Sequence, residues 1–159
     1  MRRVHDLDAK DREILALLEA DGRRSSSDIA RLTSLSAPTV AERMARLKDI
    51  GVITGFTVKI DAAKVGLPVA AIIEFRPKLI SEAEAVRLVS ERGEVRDCYR
   101  VTGEALLVLI VRVASNEVLK AMLAELYRHG ETRTSIILDA EFEGRPIFRG
   151  HEPPSVPQA

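Results

Sequence analysis

The chain has 159 residues, enough for one medium domain or two small ones, and its formal net charge is zero. A balanced charge excludes a global field drawing the protein to nucleic acid, so any contact with a polyanion must come from a local patch. The single cysteine, Cys98, excludes an internal disulfide, and the longest apolar run, residues 105–111, falls far short of the roughly 20 residues a membrane helix needs. The opening MRRVHDLDAKDREIL contains no apolar stretch of signal-peptide length, and the chain reads as cytoplasmic.

In chain order, the first predicted helix starts at Leu7-Asp8. Asp8 is a good N-cap, Asp11 stands at or near the capping-box position, and Ile14, Leu15, Leu17 and Leu18 form the apolar stripe. Asp21-Gly22 is expected to end this helix through a left-handed glycine. A second helix is predicted over 26–33, with Ile29, Ala30 and Leu32 inward. Ser34-Leu35 is a tight connection. The third helix runs from Ser36 to about Ile50, with Pro38 in its first turn, where a missing N–H costs nothing, and stops at Gly51. Val40, Met44 and Leu47 share one face of it, and Thr39, Arg43 and Arg46 another.

Residues 52–60, β-branched around Thr54-Gly55, predict the strands of a wing. Residues 61–68 read as a linker. Beyond them come a strand at 69–75, a helix at 81–92, strands at 95–101 and 106–113 joined by a tight Thr102-Gly103-Glu104 turn, a helix at 116–129 and a last strand at 134–142. The order βαββαβ is the ferredoxin-like arrangement. The expected organisation is α+β, with a winged helix-turn-helix over 1–60, the linker, a ferredoxin-like domain over 69–148 and a disordered tail over 149–159, where three prolines stand.

Charge is uneven along this plan. Residues 23–48 hold Arg23, Arg24, Arg31, Arg43, Arg46 and Lys48 against Asp28 and Glu42, whereas from residue 61 onward acids outnumber bases 15 to 13. A short helix, a tight turn and a third helix with basic residues on its outer face form the helix-turn-helix pattern, whose second helix enters the major groove of duplex DNA. Thr39, Glu42 and Arg43 stand where base edges are read, and Arg43 is the expected guanine reader, through two donated hydrogen bonds. Arg46 and Lys48 are expected at phosphates, as are Ser36 and the N-terminus of its helix, and Arg23, Arg24 and Pro38 are expected among the DNA contacts. This reading needs the arginine-bearing side of residues 36–50 to be free to meet DNA. No CxxC or HxxxH pair predicts a metal or cofactor, and Cys98 reads as a small packing residue.

The stretch LDAKDREILALLEADGRRSSSDIARLTSLSAPTVAERMARLKDIGVITGFTVKIDAAKVG resembles the N-terminal half of the Lrp/AsnC, or feast/famine, family of transcription regulators. Leu7-Asp8…Asp11…Ile14-Leu15 is similar to the family's first helix, Asp21-Gly22-Arg23 to its turn, and Leu35-Ser36-Ala37…Arg43…Arg46-Leu47…Gly51-Val52-Ile53 to its recognition helix and exit. Val101-Thr102-Gly103-Glu104 and Thr132-Arg133-Thr134 carry the likeness into the second half, to about residue 143. The resemblance implies an ACT-like (RAM) C-terminal domain that pairs into a homodimer and on into tetramers or octamers. It implies recognition of a palindromic operator and binding of an amino-acid effector in clefts between dimers. Carried onto this sequence, the effector contacts are Thr102, Gly103, Glu104, Thr134 and Ser135, with Tyr99 a further candidate from its strand. The chain departs from the family at Leu106 and Leu107, where many members have an acid followed by an aromatic, so an amino-acid ligand loses one anchor. Two alternatives share the fold. One is an enzyme of the tetrapyrrole-decarboxylase kind, which needs basic and histidine side chains around a macrocycle, whereas His5, His129 and His151 lie in unrelated segments. The other is a metabolite-binding oligomerisation module without DNA binding.

Overall fold

The computed structural model describes residues 5–148, in two compact units. One contains residues 5–58 together with 142–148, the other residues 59–141. The expected tail at 149–159 lies outside the described residues. Residues 142–148, expected with the sheet domain, group instead with the N-terminal unit. There the backbone N–H groups of Ile147 and Phe148 donate to the two carboxylate oxygens of Glu19, at 2.9 and 3.0 Å.

The first unit is built on α1 (Ala9–Ala20), α2 (Ser26–Thr33) and α3 (Ala37–Asp49). Each helix opens on a side chain that accepts from a backbone N–H of the first turn: Asp8 from Asp11, Ser25 from Asp28 and Ser36 from Thr39. Such caps stabilise a helix by about 1 kcal/mol each. Asp8 and Asp11 complete a capping box. α1 does not end through a left-handed glycine. Asp21 is extended, and its carboxylate accepts from the Arg23 N–H at 2.9 Å, so the aspartate makes the turn and Gly22 keeps a negative φ. The left-handed residue of the helix-turn-helix is Ser34, at φ 56°. Ile14, Leu17, Leu18, Ile29, Ala30 and Val40 close the core, with Leu32, Leu35, Met44 and Ile53 packed against it.

No wing strand forms among the described residues. Residues 54–60 run on as exposed chain with no ladder partner, because a β-branched composition favours a strand only where a second strand supplies hydrogen bonds. Phe56 lies against Lys48, whose Nζ sits 5.3 Å from the ring centroid.

The second unit is a four-stranded antiparallel sheet, in the order β2 (Val95–Arg100), β3 (Leu107–Val113), β1 (Val69–Pro77), β4 (Gly130–Ile137). Helices α4 (Glu82–Ser90) and α5 (Asn116–Leu126) cover one face. Ala71, Ile73 and Phe75 of β1 and Leu107, Leu109, Val111 and Val113 of β3 bury against Ala85, Val89, Leu119, Met122 and Leu126. The last strand begins four residues before its predicted start, because its N-terminal half is polar. Thr132 and Thr134 take the inward positions opposite Phe75 and Ile73, and the apolar residues at 138–142 lie beyond its end, with Leu138 fully out in solvent. Cys98 is exposed on the edge strand β2 rather than packed, since only β1 and β3 are central. No helix among the described residues is long and apolar enough to cross a membrane.

Candidate nucleic-acid interface

The outer stripe of α3, comprising Pro38, Ala41, Glu42 and Ala45, is exposed, while Val40 and Leu47 on the opposite side are fully buried. Ser36 caps the helix and shares a 2.7 Å hydrogen bond with the Thr39 hydroxyl. Thr39 is half-buried at the border of the stripe.

Arg43 has a different partner from the one expected. Its Nη1 donates to Asp8 Oδ2 at 2.6 Å and to Asp11 Oδ1 at 2.9 Å, and Arg46 Nη2 donates to Asp11 Oδ2. Asp11 is fully buried. The arginine side of α3 is therefore not free as the DNA reading expected: it turns toward the start of α1, where Nη1 of Arg43 is held by two carboxylates and Arg46 by one of them. The reason is electrostatic: a carboxylate held away from water at the helix start requires charged donors, and α3 crosses at that point.

Of the remaining cations, Arg31 pairs with Asp28, and Lys48 is exposed beside Phe56. Arg23 and Arg24, at the α1–α2 turn, have no carboxylate partner among the described residues, and the Arg24 Nε is buried without an acceptor.

Asp8 titrates below its ordinary value of 3.8, first because it accepts from the Asp11 backbone N–H and next because it accepts from Arg43. Since the folded value lies below the unfolded one, the contribution to stability is complete above the unfolded value and is lost as pH falls through the folded one. Melting of the first unit is thus expected to fall on acidification below about pH 4, followed by circular dichroism. An Asp8→Asn variant should lose part of that acid sensitivity.

The expected effector residues do not converge within one chain. Thr102, Gly103 and Glu104 form the turn between β2 and β3, with Gly103 at φ +105° and open space where a Cβ would be. Thr134 and Ser135 lie on β4, at the other edge of the sheet. The two edges are three strand spacings apart, about 14 Å. The strand pairings put Tyr99 opposite Val108 and Ser135 opposite Ile72, on the face the helices leave open, while Thr134 faces α5 with its hydroxyl buried and unpaired.

Residues 7–48 match the model of the AsnC-type helix-turn-helix domain, and residues 71–147 that of the Lrp/AsnC ligand binding domain. This chain belongs to the Lrp/AsnC family. Its relatives include the transcriptional regulator LrpA of Mycobacterium tuberculosis, 34% identical over 142 residues, which cover 87% of this chain and 95% of that protein. LrpC of Bacillus subtilis is 30% identical over 131 residues, 82% and 91% of the two chains. The solved B. subtilis LrpC has a TM-score of 0.83 at 28% identity, covering 89% of this chain and all of that one. A feast or famine regulatory protein of M. tuberculosis, solved in complex with L-methionine, has a TM-score of 0.82 at 34% identity, covering 88% and 97%. As a Lrp/AsnC protein the chain is a DNA-binding transcription regulator with a ligand-binding domain. Sequence reasoning found the recognition helix and the second domain. It missed the Asp8–Asp11 pair as the partner of Arg43, although both acids were visible in the capping box.

Proposed function

We propose that α3 enters the major groove of a palindromic operator with Pro38, Thr39 and Glu42 toward the bases, while Arg23, Arg24, Ser36 and Lys48 meet phosphates. The observation that carries this is the exposed stripe of α3, set against a buried opposite side. Glu42 suits cytosine, whose amino group donates in the major groove, and Thr39 suits the methyl of thymine or a base-edge acceptor. Arg43 leaves the base-reading set because its Nη1 is held by Asp8 and Asp11, which keeps the guanidinium turned toward α1. The protein acts as a non-enzymatic homodimer in the cytoplasm. The exposed Phe56, Val58 and Ile60, together with the open sheet face, offer surface to a second copy. The effector is an amino acid held between copies, since the turn at 102–104 and Ser135 belong to opposite edges of one sheet, and Thr134, turned toward α5, drops out of its contacts. The methionine bound by the M. tuberculosis relative supports an apolar amino acid.

Fluorescence anisotropy on an operator recovered by genomic mapping of bound DNA tests this reading. Thr39→Ala and Glu42→Ala are each expected to weaken operator binding roughly 5- to 100-fold without weakening binding to random duplex. Unchanged operator affinity in both variants would remove them from the base-reading set. L-methionine is expected to shift affinity or sedimentation, and no response to any amino acid would end the sensor claim.

A further inference from the structure

Two arginines on a recognition helix would ordinarily be assigned to the DNA backbone, yet here both already hold an anion. Asp8 Oδ1 accepts from the Asp11 N–H at 2.8 Å, and Asp11 Oδ2 accepts from the Asp8 N–H at 3.2 Å, so the capping box fixes both carboxylates before any arginine arrives. Arg43 then bridges the pair, and Arg46 takes the second oxygen of Asp11. Among the described residues, the cleft around them is lined by Asp6, Asp8, Asp11 and Glu42 with Thr39, Arg43 and Arg46. Four carboxylates facing two guanidiniums repel a phosphate.

We propose that Asp11, supported by Asp8, is a specificity-determining positioning residue that stands in for DNA phosphate, holding Arg43 and Arg46 off the backbone so that the Thr39–Glu42 side of α3 carries recognition. This rests on the α3 reading given above. A phosphate could capture Arg43 only by leaving the buried Asp11 carboxylate undercompensated, so the exchange is unfavourable. Sequence-independent attraction then falls to cations outside this cluster, among the described residues Arg23, Arg24 and Lys48. The recognition helix keeps its geometry without the indiscriminate affinity that two free arginines would add.

The test is the salt dependence of binding by full-length protein to operator and to random duplex. Each phosphate contact contributes about −0.9 to the slope of log K against log salt. Asp11→Asn, which removes the charge but keeps the shape, is expected to steepen that slope by about one to two per recognition helix. It should also tighten random-duplex binding several-fold at low salt and shrink the ratio of operator to random affinity. A purely structural role for Asp11 would weaken both affinities together and leave the slope unchanged, and that result overturns the proposal. Asp8→Asn provides the second arm: this side chain is about half exposed and is one of two partners of Arg43. It should steepen the slope by less than Asp11→Asn does, and it decides the matter alone if Asp11→Asn melts below the assay temperature. Slopes unchanged in both folded variants overturn this proposal while the α3 reading stands. Wild-type protein that binds no duplex overturns both.

Discussion

Valine in place of Gly130 is expected to unseat β4 from the sheet. Gly130 pairs with Pro77 at the end of β1, and a Cβ there would lie 2.1 Å from the Arg76 carbonyl oxygen and 2.8 Å from the Pro77 Cα. Both obstacles are backbone, so no rotamer change relieves the overlap. Overpacking against movable side chains costs about 1–3 kcal/mol. A clash with a paired strand should exceed that, at about 4 kcal/mol or more, a large share of the roughly 5–15 kcal/mol that holds a domain together. The glycine is required for space and not for conformation, since its φ is not positive. Alanine should therefore do nearly as much damage as valine. Denaturant unfolding by circular dichroism gives the loss, and hydrogen exchange at 131–137 locates it. An unchanged midpoint with protected β4 amides would show that the chain ends shift easily. Because β4 carries Thr134 and Ser135, the variant should also lose any amino-acid response while α1–α3 stay folded.

What the sequence disclosed follows from where the information is local. α2 and α3 could be bounded within a residue because Ser25 and Ser36 cap them, and Gly51, at φ +73°, stops the third helix. The central strands β1 and β3 announced themselves as continuous apolar runs, as strands with neighbours on both sides do. β4 was misplaced because its register is set by a distant contact, the fit of Gly130 against β1, while the apolar residues at 138–142 suggested a strand that nothing pairs. Residues 52–60 had strand composition without a strand partner. The helix-turn-helix charge was misjudged for the same reason. The basic segment at 23–48 shows an excess in linear order, but Asp8 and Asp11 lie before it in sequence and against it in space. A sequence window measures composition, whereas an electrostatic patch depends on which helices cross.

The largest consequence of that crossing concerns Arg43. As a base reader it would be removable without structural penalty, and Arg43→Ala would weaken operator binding in a protein that folds as before. As the bridge between α3 and the start of α1, its loss leaves Asp11 buried with only the half-exposed Arg46 to compensate it. Removing one partner of a fully buried pair costs about 3–5 kcal/mol. With Arg46 remaining and the site open to water at one side, about 2–3 kcal/mol is expected, read from the urea midpoint of the first unit by amide signals from α3. Arg43→Lys should recover part of this, because an ammonium supplies the charge but sits on a stem one bond shorter than the one that carries Nη1 to both acids. A double-mutant cycle with Asp11→Ala separates the alternatives: a coupling of about 1–3 kcal/mol places the pair in one network. Zero coupling, with intact stability and loss confined to operator affinity, would mean that the guanidinium swings away from Asp11 to read a base. Operator binding that falls only in proportion to the folded fraction would leave Arg43 with a structural role, holding α3 in place for the residues that touch DNA.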